Sequence, residues 1–123
     1  MKFDKLVSVI AGLGVPGLVL VFAMALTGYA GAAAITTALA AMGGPLGMLG
    51  GIAVLVLLGL ISKGLTAWGL EKIAEAVVRK LIEKGETKEG ILRKIDSYWF
   101  LSKDLKLKIR DFVERYLAEG GST

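Results

Sequence analysis

The chain has 123 residues, a formal net charge of +4, and neither cysteine nor histidine. Disulfides, zinc–thiolate sites and thiol nucleophiles are thereby excluded, and the commonest general base and metal ligand is missing. The charge is sorted rather than scattered: from Leu6 through Ser62 there is no charged side chain, and nearly all charge lies in residues 63–123.

A helix in a soluble globule keeps one wet face, and close to half of this chain offers none. The sequence therefore reads as an all-α integral membrane protein with the lipid bilayer as its partner. The mild basic excess beside the apolar block reads as anchoring on the cytoplasmic-type side. Acidic residues are interleaved with the basic ones throughout, so no nucleic-acid surface is expected.

In chain order, Phe3, Leu6, Val7 and Ile10 fall at helical spacing, with Lys2, Asp4 and Lys5 at headgroup level. The run Gly12-Leu-Gly-Val-Pro-Gly17 is a break or kink, because Pro16 lacks an N–H and pushes Val15 out of the α region. Val15–Thr27 is strongly apolar, and with residues 6–14 it reaches the ~20 residues that cross ~30 Å of hydrocarbon. Gly28 closes it, and Tyr29 suits an interface. Lys2, Lys5, the apolar run 18–26 and Ala30-Gly31-Ala32 sketch a signal peptide, but Asp4 and the broken apolar core argue that the segment is retained.

Ala30–Met42 is Ala-rich and reaches only ~20 Å as a helix, so it is expected to be a short central, re-entrant or packed helix. Gly43-Gly44-Pro45 ends it, and Leu46–Ser62 is the best span, bounded by Lys63 and Trp68. Leu70–Lys84 is amphipathic, with Leu70, Ile73, Ala74, Val77, Leu81 and Ile82 on one face and (i, i+4) pairs Glu75–Arg79 and Arg79–Glu83 on the other. Thr87 caps a helix over Lys88–Phe100, Ser102 caps another over Lys103–Ala118, and residues 119–123 form a disordered tail.

The expected architecture is thus a transmembrane Gly/Ala-rich hairpin over 1–69, two spans plus the short central helix, followed by a bundle or collar of amphipathic helices over 70–118. Basic residues flank both ends of the uncharged block, so both termini belong on the cytoplasmic-type side, with three spans as the alternative. Lys2, Lys5, Tyr29, Lys63 and Trp68 are the membrane-interface anchors.

Small residues recur every four positions in Gly28, Ala32, Thr36 and Ala40 and in Gly43, Gly47 and Gly51. Such rows let helix backbones approach closely in lipid, either between copies or within one chain. Several rows on so short a hairpin point to a homo-oligomer. Thr36 and Thr37 are candidates to line a water path; the alternative is that each hydroxyl bonds the carbonyl one turn back. No Asp, Glu, Lys or Arg lies within the block, which argues against a proton-coupled rotor subunit or carrier. No catalytic, cofactor or metal site is expected, because the Gly-rich runs lack a phosphate-binding lysine and a strand–turn–helix context.

The stretch Thr27-Gly-Tyr-Ala-Gly-Ala-Ala-Ala-Ile-Thr-Thr-Ala-Leu-Ala-Ala-Met-Gly-Gly-Pro-Leu-Gly-Met-Leu-Gly-Gly-Ile-Ala-Val resembles the core of the interferon-induced 6-16 family of small hydrophobic membrane proteins. The likeness covers residues 27–60 and leaves out 70–118. It implies a membrane protein of stress or innate-defence settings that affects membrane integrity or cell death. The functional expectation is an oligomeric, pore-like or membrane-perturbing assembly and not an enzyme. The alternatives are a membrane-anchored module whose C-terminal helices recruit a soluble protein partner, and a soluble helical assembly that buries the hairpins.

Overall fold

A computed structural model describes residues 3–43 and 46–118. Lys2, the break at Gly44-Pro45 and the tail 119–123 lie outside the described residues. The described residues are all-α, in six helices: α1 Phe3–Gly12, α2 Val15–Ala41, α3 Leu46–Ser62, α4 Ala67–Glu83, α5 Lys88–Ser97 and α6 Lys103–Ala118.

The break expected at Gly12–Gly17 separates α1 from α2, and glycine makes it. Gly14 adopts φ 79° and ψ −156°, a conformation closed to residues with a β-carbon. Pro16 instead sits in the first turn of α2, where its missing N–H leaves no bond unmade. A β-carbon on Gly17 would run into the Ile10 carbonyl, so the corner brings the backbones of α1 and α2 together.

The same device recurs fourteen residues on. Gly28 adopts φ 81° and ψ −168° inside α2, dividing it into two arms, 15–27 and 29–41. A β-carbon on Gly31 would collide with the Thr27 side chain, as one on Gly17 would with Ile10. The fold at Gly28 is sharp. A β-carbon on Gly50 of α3 would stand 3.0 Å from Thr36 Cγ2 and 3.6 Å from Leu20 Cδ1. Leu20 and Thr36 are therefore neighbours, whereas a straight helix would hold them ~24 Å apart.

The first arm is the centre of the molecule. Every residue from Gly17 to Met24 is buried, and α1, α3, α4, α5 and α6 all contact α2. Its partners present their apolar faces: Leu70, Ile73, Val77 and Leu81 of α4, Ile91 and Ile95 of α5, and Ile109, Phe112 and Val113 of α6. Phe22 meets Phe112 edge to face at 4.8 Å between ring centroids. These residues belong to one buried cluster that draws on all six helices. The boundary expected between a hairpin domain and a helical domain, 69/70, falls within α4, which packs on both α1 and α2.

Counted along its full 27 residues, α2 is the one described helix long and apolar enough to cross a membrane; folded at Gly28 it does not extend that far, and half of its most apolar window is buried inside the protein. The segment 6–27, expected to form the first span, is instead shared between α1 and the first arm of α2. A helix apolar on every side must be buried, and protein serves that need here as lipid would.

α5 and α6 carry their expected caps, and α4, which begins at Ala67 rather than at Leu70, is capped by Thr66. Thr66 Oγ1 accepts from Gly69 N at 3.2 Å, Thr87 Oγ1 from Gly90 N at 3.0 Å, and Ser102 Oγ from Leu105 N at 3.1 Å. Two further details differ from expectation. α5 stops at Ser97, three residues early, because Tyr98 turns to ψ 92° and buries its ring. The pairs Glu75–Arg79 and Arg79–Glu83 are not among the ion pairs of the described residues: Glu75 meets Lys72 at 3.5 Å, and Arg79 borders a cleft with Asp4 of α1.

Candidate functional site

The surface that stands apart from a charged, water-facing bundle is the outer side of the hairpin made by the second arm of α2 and α3. Its inner side is a seam of small and branched residues. Ala32, Ile35, Thr36 and Leu39 of the second arm and Gly50, Ala53, Val54 and Leu57 of α3 are buried, and Thr36 lies against Gly50. Ala40 faces Gly47, whose added β-carbon would stand 3.4 Å from that of Ala40. The two helices close as near as these small side chains allow.

The outer side is apolar and exposed. Met48 is 77% and Leu55 62% accessible, and Tyr29, Met42, Leu49, Ile52 and the adjoining Leu26 are also exposed. Between the helices runs an open groove of about 390 Å³, bordered by Tyr29, Ala33, Thr37, Gly51, Ile52 and Leu55 among others. No charged side chain occurs anywhere on this hairpin.

Its threonine and serine hydroxyls make no demand on water. Thr36 and Thr37 donate to the carbonyls of Ala32 and Ala33, each at 2.9 Å, and Thr27 to that of Ala23 at 2.6 Å. Ser62 at the end of α3 does the same with Leu58 at 3.1 Å. No buried side-chain polar atom among the described residues lacks a partner. Hydroxyls bonded in this way can sit in hydrocarbon as comfortably as in a protein core.

The structure places the sequence-derived residues as follows. Ala32 and Thr36 are buried within the chain, Ala40 is half-buried, and Gly47 is exposed beside it. Gly28 forms the corner, and Gly43, with φ 83°, lies in the turn after the second arm. Gly51 opens on the groove, with nothing within 4 Å of an added β-carbon. Of the two threonines, Thr36 is buried in the seam and Thr37 is exposed at the groove.

Among the anchors, Lys5 and Lys63 are exposed. Trp68 is 68% accessible and carries Lys72 Nζ 5.3 Å from its ring centroid, while Tyr29 borders the groove. Gly50, which touches both arms of α2, falls outside the four-residue rows. Its signal is the run Gly47-Met-Leu-Gly50, a spacing of three rather than four.

The charged helices present a different surface. Arg110 bridges α5 and α6 by bonding Asp96 at 2.6 Å, and Lys94 reaches Glu86 at 2.5 Å. Tyr98, buried beside Phe100, has its pKa raised above the ordinary 10.0 by burial and, secondarily, by the Glu86 charge. Comparison with known protein families, curated proteins and solved structures finds no match. The resemblance of residues 27–60 to the 6-16 family therefore rests on those residues alone.

Proposed function

We propose that this protein acts on lipid bilayers, entering them through the hairpin of the second α2 arm and α3, and that copies gathered there make the membrane leaky. The observation that carries this reading is the exposed apolar outer side of the hairpin, with Met42, Met48, Leu49, Ile52 and Leu55 in a stretch without a single charge. Water meets these side chains at a cost that lipid removes. The internally bonded threonines support the same reading.

Entry from the side of the charged helices leaves both ends of the described chain, the start of α1 and the end of α6, behind. Asp4 of α1 shares a cleft with Arg79, Lys80 and Glu83 of α4, so the start of the described chain lies among the charged residues. Tyr29, Lys63 and Trp68 then serve as interface anchors. The groove bordered by Ala33, Thr37 and Gly51 is where a neighbouring copy would seat in an oligomer. The test is release of a small dye from liposomes as protein is titrated. Release that rises more steeply than the first power of protein concentration supports a membrane-perturbing oligomer, and intact liposomes at high protein load overturn it.

A second reading has its own observation. The first arm, the most span-like stretch, is buried by this chain from Gly17 to Met24, so an uncharged run does not of itself demand lipid. Copies could cover one another's hairpins in a soluble assembly. Fractionation without detergent followed by mass measurement separates the two: a discrete soluble oligomer favours the second reading, and recovery with the membrane pellet favours the first.

A further inference from the structure

We infer that Gly28 is a hinge, and that on a bilayer the two arms of α2 straighten at it into one membrane-spanning helix. This rests on the membrane reading above and adds a change of shape to it. In the folded form each arm has thirteen residues and reaches ~20 Å, enough for one leaflet of ~15 Å but short of the ~30 Å of hydrocarbon. Joined in line, the 27 residues of Val15–Ala41 reach ~40 Å. The folded molecule can therefore dip into one leaflet, and the straightened one can cross both.

Four features of the corner suit such a change. Gly28 has no side chain to move and nothing within 4 Å of an added β-carbon, so neighbours do not hold it in place. Glycine passes between its present φ of 81° and the helical region without steric penalty. The hydroxyls of Thr27, Thr36 and Thr37 bond carbonyls four residues back, within their own arms, and keep those bonds when the arms align. No charged group lies between Leu6 and Ser62 to resist passage through hydrocarbon. Straightening withdraws the first arm from α4, α5 and α6 and leaves their apolar faces free to lie on the membrane surface as the collar.

The chain has no cysteine, so a pair of spin labels reads the hinge directly. Gly12→Cys and Thr37→Cys are suitable sites. Gly12 is exposed with nothing within 4 Å of an added β-carbon, and Thr37 is exposed at the groove. In buffer the labels should give one short distance, because Leu20 and Thr36 are neighbours. On vesicles of phosphatidylcholine and phosphatidylglycerol the distance should lengthen toward the ~33 Å that separates residues 15 and 37 in a straight helix.

Vesicle-bound protein that keeps the short distance overturns the hinge and leaves the membrane reading standing. Protein that does not bind the vesicles overturns both. Gly28→Ala provides the second arm of the test. Alanine is strained at the corner but favoured in a straight helix, so the variant should reach the long-distance state at about tenfold lower lipid. An unchanged or higher lipid requirement refutes the hinge.

Discussion

Leu55→Asp separates a lipid-facing hairpin from one that is merely exposed. Leu55 lies near the middle of α3 and is 62% accessible. In water the substitution disturbs little packing, and the folded protein should lose no more than about 0.5 kcal/mol. In a bilayer the change is severe: exchanging leucine for aspartate at the centre of a membrane helix costs ~3–4 kcal/mol. At 1.4 kcal/mol per tenfold, vesicle binding should weaken on the order of 100-fold or more.

The control is Leu107→Asp, the same exchange at a site 57% accessible on the charged helix α6. Binding is measured by titrating vesicles and following flotation of the protein, with circular dichroism to show that both variants fold. Vesicle binding should fall steeply in Leu55→Asp and little in Leu107→Asp. Equal losses, or none at Leu55, would refute the assignment of the outer hairpin to lipid.

Other substitutions test the fold that presents the hairpin. Gly17→Ala should lower stability by about 1–3 kcal/mol, because its β-carbon meets the Ile10 carbonyl. Gly51→Ala, with open space around it, should leave stability unchanged or raise it by up to ~1 kcal/mol; thermal melts of the pair decide. Phe22→Ala should cost about 3–5 kcal/mol, since it empties the centre of the core and strips Phe112 of its edge-to-face partner. Tyr98 supplies a pH dependence. Its folded pKa lies above the unfolded value, so its contribution is complete below about pH 10 and is lost as pH rises through the folded pKa. Urea melts should therefore show an alkaline loss of stability that is smaller in Tyr98→Phe.

The amphipathic helices were legible because their apolar positions repeat at the helical period and hydroxyl caps mark their starts, as Thr87 and Ser102 do. The breaks at Gly12–Gly17 and Gly28 were legible in place, but the sequence points to Pro16 for the first, whereas Gly14 makes it and Val15 and Pro16 open α2. The direction of the fold at Gly28 was not. It depends on Gly50 of α3 accepting Leu20 and Thr36 at once, one from each arm of α2. Nor could the first arm be assigned to protein rather than lipid. A uniformly apolar run has no periodicity to say which medium surrounds it, and what decides here is the supply of apolar faces on α4, α5 and α6. Within the hairpin, the four-residue spacing marked Ala32, Thr36, Ala40 and Gly47 as packing positions. That Ala40 meets Gly47 and Thr36 meets Gly50 within one chain follows only from the chain folding back on itself.

The most direct test of membrane entry is the depth reached by residue 48, which is 77% accessible on the outer hairpin. A single tryptophan placed there as Met48→Trp, with Trp68→Phe and Trp99→Phe, reports depth through quenching by lipids brominated along the acyl chain. Entry predicts strong quenching by bromines within the hydrocarbon and protection from aqueous iodide. Vesicle-bound protein whose residue 48 is untouched by brominated chains and open to iodide would contradict it.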